Sequence, residues 1–390
     1  MAHKSFSEEH QLFRKQVRTF VDKELAPHAD AWEQEGIFPR WVFEKAGEIG
    51  ILGAHYPEEH GGGGGDFWFS VAKAEELHAC RSAGVALGLM VQSDMCTPVI
   101  SHLGSEWQIE NFLKPALAGK KIGAIGVSEP SAGSDVANIR TTAKRDGDHY
   151  VINGSKTYIT NGTRCDFITL LAKTNPEGGY QGISMFVFPT DTPGFQVSKK
   201  LDKVGNRSSD TAEIFFEDCR IPAECLIGHE GMGFIYLMQN FQSERLIGAT
   251  SALAEGRRSL DRCVAWGKER TAFGKPLIKR EIWQHKFVEL YTRLEAAQAL
   301  NYNACEAYNE DVYVKKGQVS METGKLVSMS KLYAGEVMDA IMDTAMQFHG
   351  GMGYLEELWV ARTWRDQRLL RIGGGTSEVM KYMIAKVMQF

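Results

Sequence analysis

The sequence lacks the segments that mark membrane, exported and nucleic-acid-binding proteins. No run is long and apolar enough to predict a membrane span, and the N-terminus lacks a signal-like apolar core. Acidic residues near the start also argue against a transit peptide. With 44 Lys and Arg against 49 Asp and Glu, the net charge is −5, which disfavours nucleic acid as a partner. We expect a cytoplasmic protein if bacterial, or a mitochondrial matrix protein if this is a mature eukaryotic form.

Common catalytic and metal-binding motifs are also missing. There is no Gly-x-Gly-x-x-Gly after a strand, no His-Glu-x-x-His and no Gly-x-Ser-x-Gly. The 7 cysteines form no Cys-x-x-Cys pair and the 11 histidines show no ligand spacing, so we predict buried thiols and no metal. His349 is expected to be a packed or hydrogen-bonded loop residue. The run Gly61 to Gly65 lacks the Lys of a phosphate-binding loop, which favours a flexible helix connection.

The apolar pattern divides the 390 residues into three predicted domains. Residues 1–122 have a helical period, residues 123–232 alternate and turn often, and residues 233–390 return to the helical period. Strands are not separated by helices, so an α+β fold with a middle antiparallel β-domain is favoured over a doubly wound sheet. The C-terminal candidate helices are 233–266, 280–310, 319–346, 355–366 and 376–388.

One helical stretch carries an acid and a base inside an apolar pattern. Glu244 and Arg245 lie among Phe241, Leu246 and Ile247. Neighbouring helix residues point about 100° apart, so these two charges cannot simply pair with each other. Two interpretations are open: structural charges, which an arbitrary helix favours, or a general base at Glu244 in an apolar pocket.

A second stretch, Gly126–Asp135, combines small residues, hydroxyls and turn-formers at the predicted start of the β-domain. Such a segment lets backbone amides approach a planar polar group or a phosphate closely. From the residues alone, an ordinary loop is an equally good interpretation.

Together the motifs resemble the acyl-CoA dehydrogenase family of flavoproteins. Gly126–Asp135 is similar to the family's first signature and 347–357 to its second, with Arg362 and Asp366 at the matching spacings. The segments 158–162 and 270–276 also match, and the similarity extends over essentially the whole chain. The resemblance implies an N-terminal helical domain, a middle β-domain and a C-terminal four-helix bundle. It also implies FAD as cofactor, an acyl-CoA thioester as substrate, electron-transferring flavoprotein as acceptor and a homotetramer built as a dimer of dimers.

The resemblance also assigns site residues. Tyr158 and Thr160 would contact the flavin ring, Thr160 near N5, and Arg270 and Phe273 would reach the FAD of a neighbouring subunit. The cofactor residues it implies are Ile125, Val127, Ser128, Gly133, Ser134, Tyr158, Ile159, Thr160, Arg270, Phe273, Gln347, Gly350, Gly351, Thr376 and Glu378. The substrate residues it implies are Ser134, Phe241, Gln242, Arg245, Gly374 and Gly375.

The chain departs from the usual family pattern at the catalytic base. Most members carry a Glu in the C-terminal loop, where this chain has Gly374. Long-chain and isovaleryl-CoA dehydrogenases instead place the Glu on the helix, immediately before an Arg, and that position here is Glu244. The resemblance therefore implies that Glu244 removes the α-proton while the β-hydrogen leaves as hydride to flavin N5. A further departure is Glu281, where many members carry a Gln facing the adenine of the partner's FAD.

The substrate class stays open at this stage. The segment around Glu244 is most similar to the long-chain type, whereas 371–380 also resembles citronellyl-CoA dehydrogenases, which act on a 3-methyl-branched chain. A missing side chain at Gly374 would leave room for either a long or a branched acyl group. The alternatives are family members that do not dehydrogenate thioesters, either DNA-associated or oxidase-type. Those relatives are longer, and the DNA-associated ones carry a basic surface.

Overall fold

The N-terminal third of the computed structural model, which describes residues 3–390, is helical. Ser7 caps the first helix through a capping box with His10, and Ser105 forms a second capping box with Gln108. A short helix capped by Gly36 was not predicted, and Trp32 anchors it in the core. The helices are α1 (Glu8–Phe20), α2 (Ala29–Glu35), α3 (Trp41–Glu48), α4 (Phe67–Leu77), α5 (Ala83–Met90), α6 (Pro98–Leu103), α7 (Glu106–Gln108) and α8 (Lys114–Leu117).

The expectation that no run is long and apolar enough to predict a membrane span is wrong. The helical segment Ala83–Leu103 is long and apolar enough by length and composition, but 89% of its most apolar window is buried within the protein.

The expectation that the glycine run is a flexible connection is also wrong, because the run is ordered. The backbone N–H groups of Gly63, Gly64 and Gly65 donate to carbonyls of residues 53–56 at 2.8–3.0 Å. A Cβ at Gly62 would lie 2.2 Å from the Tyr56 carbonyl oxygen, so close backbone packing requires glycine there.

A seven-stranded sheet forms the middle of the chain. Its strands are β1 (Gly123–Gly126), β2 (Thr142–Asp146), β3 (His149–Thr160), β4 (Phe167–Lys173), β5 (Ile183–Pro189), β6 (Phe195–Lys200) and β7 (Thr211–Pro222). The β2–β3 hairpin turns at Gly147, and β3–β7, β6–β7 and β4–β5 are antiparallel. The sheet is not purely antiparallel, because β4 pairs in parallel with β1 and, at Lys173, with β2. The long connection through the hairpin makes this parallel return possible.

The C-terminal part is a helical bundle. Three long helices, α9 (Gly233–Glu269), α10 (Glu281–Asn309) and α11 (Met321–His349), pack together, and α13 (Ser377–Val387) packs on α11. The small strands β8 (Thr271–Ala272) and β9 (Lys275–Pro276) follow α9, and α12 (Trp359–Gln367) precedes α13. The predicted order of helices, sheet and helices is confirmed.

Helix α9 joins the parts of the molecule. Leu237 packs with Val127 of the sheet domain, Leu246 packs in the cluster of the N-terminal helices, and Leu253 packs inside the bundle. The Asn240 side chain also donates to the Met95 carbonyl at 2.7 Å. The stretch around residue 244 therefore lies where the three parts of the chain meet.

Candidate active site

Glu244 faces the junction from the N-terminal third of α9. Its side chain is only partly exposed, and the surrounding protein removes most of the water that would stabilise a carboxylate. Burial raises the pKa of the Glu244 carboxyl from 4.5 to about 7, while the cations of Arg245 and Lys331 act in the opposite direction. A carboxyl with this pKa can exchange a proton near neutral pH.

The Glu244 carboxylate lies beside Gly374. A Cβ placed on Gly374 would lie 3.2 Å from Oε1 of Glu244, which is tight for a carbon–oxygen contact. Gly374 has φ +64° and Gly375 φ +99°, both in the region that glycine adopts most readily. The two positions are 130 residues apart along the chain, and the fold places the Glu244 carboxylate beside residue 374.

Arg245 turns away from Glu244 and holds the same loop. Its Nε donates to the Gly374 carbonyl oxygen at 3.0 Å, and its guanidinium lies over the Phe241 ring at 5.6 Å from the centroid. The side chain is buried, and its Nη1 has no hydrogen-bond partner among the described residues. Burial lowers the pKa of Arg245 to about 10, so the group stays charged at neutral pH.

Lys331 of α11 is a site residue that the sequence analysis did not identify. Its ammonium donates to the Gly375 carbonyl oxygen, and its side chain is only 3% exposed. Burial lowers the pKa of Lys331 to about 8, and Glu244 and Glu378 raise it. The available signal was a lysine flanked by small and apolar residues, with Val327, Ser328 and Ser330 buried on the same helix.

The loop Gly126–Asp135 is fixed to the sheet by a buried ion pair that was also not predicted. Lys156 of β3 is fully buried and donates to Glu129 Oε1 at 2.8 Å and to the Val127 carbonyl at 3.0 Å. Glu129 in turn accepts from the backbone N–H groups of residues 140 and 141. Ser128 joins the same strand, because its carbonyl accepts from Thr157 N–H at 2.9 Å. The loop therefore has a defined shape.

The predicted flavin-contacting residues of this region are brought together. Ile125 and Val127 pack with Phe241 in one apolar cluster, which joins β1 to the start of α9. Tyr158 lies at an irregularity of the β3–β7 pairing, with φ +63° and 70% of its surface exposed. Gly133 and Ser134 are exposed, and Ile159 is buried beside the partly buried Thr160. A backbone loop and an uncovered aromatic ring thus border the same side of the junction.

A second group of predicted cofactor residues lies far from Glu244. Arg270 and Phe273 follow the C-terminal end of α9, roughly 40 Å along the helix from Glu244. Phe273 is 96% exposed with φ +47°. Gln347 and Gly350–Gly351 lie at the same end of the bundle, because the neighbouring His349 ring packs 4.4 Å from that of Trp266. Beside both glycines there is open space.

The remaining predicted residues differ in burial, since one is buried, one caps a helix and two are exposed. Gln242 is buried and donates to the Met238 carbonyl at 2.8 Å. Thr376 caps α13, since its hydroxyl accepts from Val379 N–H at 3.3 Å, and Glu378 is exposed in the first turn. Glu281 is exposed at the start of α10, 3.6 Å from His285.

The cysteines and His349 are buried, as predicted. All seven cysteines are buried and free. His349 is buried and packed, as predicted, with its Nδ1 2.8 Å from the Ala345 carbonyl oxygen, but it is the last residue of α11 and not a loop residue. Within residues 3–390, no group of three or more His, Cys, Asp and Glu side chains is placed to hold a metal ion.

Known proteins match this chain over nearly its full length. Family models described as the N-terminal, middle and C-terminal domains of acyl-CoA dehydrogenase match residues 7–120, 124–219 and 231–389. A mitochondrial long-chain specific acyl-CoA dehydrogenase of Sus scrofa is 39% identical over 98% of this chain and 86% of its own length. A mitochondrial short-chain specific acyl-CoA dehydrogenase of Mus musculus is 38% identical over 97% and 89%.

Solved structures of acyl-CoA dehydrogenases are also similar to this chain over nearly its full length. An acyl-CoA dehydrogenase from Geobacillus kaustophilus has 39% identity and a TM-score of 0.93, covering 100% of both chains. A glutaryl-CoA dehydrogenase from Mycobacterium smegmatis in complex with FADH2 has 28% identity and a TM-score of 0.89, covering 98% of this chain and 95% of its own.

Proposed function

The chain belongs to the acyl-CoA dehydrogenase family of oxidoreductases, and we propose that it oxidises a long or 3-methyl-branched acyl-CoA to the trans-2-enoyl-CoA with Glu244 as base. The observation that supports this proposal is that the Glu244 carboxylate lies beside Gly374. A side chain at residue 374, where most family members carry their base, would meet this carboxylate, and the loop itself contributes no side chain there.

The residues around Glu244 suit removal of a weakly acidic α-proton. A carboxylate in a poorly hydrated site is a stronger base than in water. The pKa of Glu244, about 7, lies near neutral pH, where a general base works best. Arg245 and Lys331 keep their own hydrogen bonds to the glycine loop, so neither quenches Glu244 by a direct ion pair. Glu244 thus accepts the proton, and the narrow space beside Gly374 is available to the acyl chain.

Members of this family are FAD-dependent, and the residues of this chain fit that cofactor. Gly126–Asp135 offers exposed backbone and hydroxyls near Tyr158, whose uncovered ring can stack on a flat heterocycle. When bound, FAD supplies the acceptor for the β-hydride. We assign its flavin side to Ile125, Val127, Ser128, Gly133, Ser134, Tyr158, Ile159, Thr160, Thr376 and Glu378.

A homotetramer is part of the proposal because the second cofactor group lies far from the first. Roughly 40 Å separates Glu244 from Arg270, too far for both to serve one FAD within a chain. Arg270, a bidentate partner for diphosphate, and Phe273 are exposed, as expected for groups that reach a neighbouring subunit's cofactor. Gln347, Gly350 and Gly351 complete this group. Electron-transferring flavoprotein is the proposed acceptor.

Anaerobic bleaching of the flavin by a panel of acyl-CoAs tests the proposal. We expect long-chain, isovaleryl- or citronellyl-CoA to bleach the holoenzyme at a kcat/KM at least about tenfold above that of butyryl-CoA. The physical reason is that the loop contributes no side chain at Gly374, so that only the Glu244 carboxylate borders this position. A preference for butyryl-CoA would overturn the substrate assignment, and no bleaching by any thioester would overturn the activity.

The pH dependence of kcat/KM provides a second test. Because burial raises the pKa of Glu244 to about 7, the base is protonated and inactive at lower pH. The rate constant should therefore fall tenfold per pH unit below about pH 7 and level off above it. Stopped-flow flavin reduction from pH 5 to 9 measures this fall of kcat/KM at low pH, the acid limb of the profile. A midpoint of the acid limb near pH 4.5 would show that Glu244 is not held in a poorly hydrated pocket.

A further inference from the structure

The glycine loop, Gly373–Gly375, has the most flexible type of backbone, and it lies beside the Glu244 carboxylate, where the backbone must keep one conformation. It has no side chains, and two of its residues adopt positive φ. Glycine loses more conformational entropy on ordering than any other residue. Gly375 has φ +99°, a backbone conformation that residues with side chains rarely adopt, so a larger residue there would strain the loop and not stiffen it. Contacts from outside the loop must hold it.

Two buried cations supply these contacts from two different helices. Arg245 of α9 donates to the Gly374 carbonyl at 3.0 Å, and Lys331 of α11 donates to the next carbonyl, that of Gly375. Each side chain is 3% exposed. Hydrogen bonds from charged donors to a backbone carbonyl are about twice as strong as neutral ones. Because a trans peptide is planar, fixing these two carbonyls also fixes the N–H groups of Gly375 and Thr376.

Resting on the function proposed above, we propose that Lys331 is a positioning residue that anchors the glycine loop over the acyl site and sets the charge environment of Glu244. Burying an ammonium beside a buried guanidinium is unfavourable, and a neutral donor would serve a purely structural role at lower cost. The cation therefore points to an electrostatic task. It favours the carboxylate form of Glu244 and so limits the rise that burial produces.

Other charges near this group are few. On α9 they are Glu244 and Arg245, and on α13 the exposed Glu378 acts on Lys331. Arg371 is already paired with Asp339 at 2.5 Å and bonded to Ser377 at 3.3 Å. Arg245 and Lys331 both lower the pKa of Glu244, so removing Lys331 leaves Arg245 to oppose the effect of burial.

The test compares Lys331→Met, Lys331→Arg and Lys73→Met in the FAD-loaded protein. Lys73 is a matched control because it is 1% exposed and pairs with Asp94 at 2.8 Å, without contact to the glycine loop. Two quantities are measured: hydrogen–deuterium exchange of the peptide covering 372–378, and the midpoint of the acid limb of kcat/KM. Lys73→Met shows how far a general loss of stability by itself changes either quantity.

In Lys331→Met we expect exchange at 372–378 to accelerate about tenfold and the acid limb to move up by at least about 0.5 pH unit, because one of two nearby cations is lost. Lys331→Arg should keep the acid limb within about 0.2 unit, since its charge persists. Lys73→Met should leave both quantities unchanged while lowering the melting temperature.

The outcomes separate this proposal from the proposed function. Unchanged exchange and an unchanged acid limb in folded Lys331→Met would overturn the positioning role, even if the wild type oxidises acyl-CoA. Conversely, a wild type that no thioester bleaches would overturn the function, while the exchange experiment would still decide whether Lys331 anchors the loop. If Lys331→Met does not fold, Lys331→Gln and the arginine variant provide the same comparison, and equal exchange in all three proteins would overturn the proposal.

Discussion

Glu244→Gln will bind FAD and acyl-CoA but will not be bleached, with the rate of flavin reduction at pH 8 falling by about 10³-fold or more. The amide keeps the shape of the side chain and cannot accept the α-proton, so positioning survives and the general base is lost. The loss should appear in kcat, with the acyl-CoA dissociation constant changed by less than about threefold. Anaerobic stopped-flow reduction, with absorbance spectra of the bound flavin, measures both.

The same variant should be more stable than the wild type at alkaline pH. The pKa of Glu244 is raised in the folded protein, so ionisation costs folding free energy as the pH rises from 4.5 to about 7, and the full cost remains above that. Gln avoids this cost, which we place at about 1–3 kcal/mol at pH 8, and no gain is expected at pH 4. Thermal unfolding of both proteins at matched FAD occupancy, at pH 8 and at pH 4, checks the sign of this stability difference.

Glu255→Gln is the matched control, because Glu255 is a buried glutamate of the same helix that pairs with Arg258 at 2.9 Å. It should lose stability and retain flavin reduction within about threefold. Full bleaching of Glu244→Gln at the wild-type rate would remove Glu244 from the catalytic role.

Moving the base to the loop is the second change with a large expected effect. Gly374→Glu alone should lower flavin reduction by about 10²-fold or more, because it forces two carboxyls into one poorly hydrated space and a side chain into positive φ. Removing the helix carboxylate as well, in Glu244→Ala/Gly374→Glu, relieves the charge repulsion and the 3.2 Å contact. We expect the double variant to be at least about tenfold faster than either single variant.

A double-mutant cycle measured by single-turnover reduction quantifies this coupling. Gly374→Ala controls for the backbone conformation and should cost about 1–2 kcal/mol of stability without adding a second carboxyl. Additive effects, with the double variant slower than both singles, would mean that residues 244 and 374 do not share one reactive position.

Much of this protein could be predicted from its sequence because the relevant signals are local. Apolar periodicity predicts the long helices, with α9 expected at 233–266 and observed at Gly233–Glu269. Capping residues locate helix starts such as that after Ser105, and the turn at Gly147 locates a hairpin. The motif resemblance likewise identified the family, since long motifs in the right order rarely occur together by chance.

The local signals failed where packing over long distances decides. The parallel pairing of β1 with β4 depends on how the intervening hairpin folds back, and the burial of 83–103 depends on the elements that cover it. The glycine run looked flexible because its ordering depends on backbone hydrogen bonds to residues 53–56, which composition does not reveal.

By itself, the sequence determined that Glu244 sits on an apolar helix face and that residue 374 lacks a side chain. Whether the carboxylate reaches that residue, and which groups hold the loop, only the tertiary structure decided. Arg245, Lys331 and Gly375 belong to three segments far apart in the chain, and each cation has several carbonyls within its possible reach. Packing of α9 and α13 against α11 selects one carbonyl for each cation, because burial makes an unpaired cation or carbonyl costly and leaves few arrangements that satisfy both.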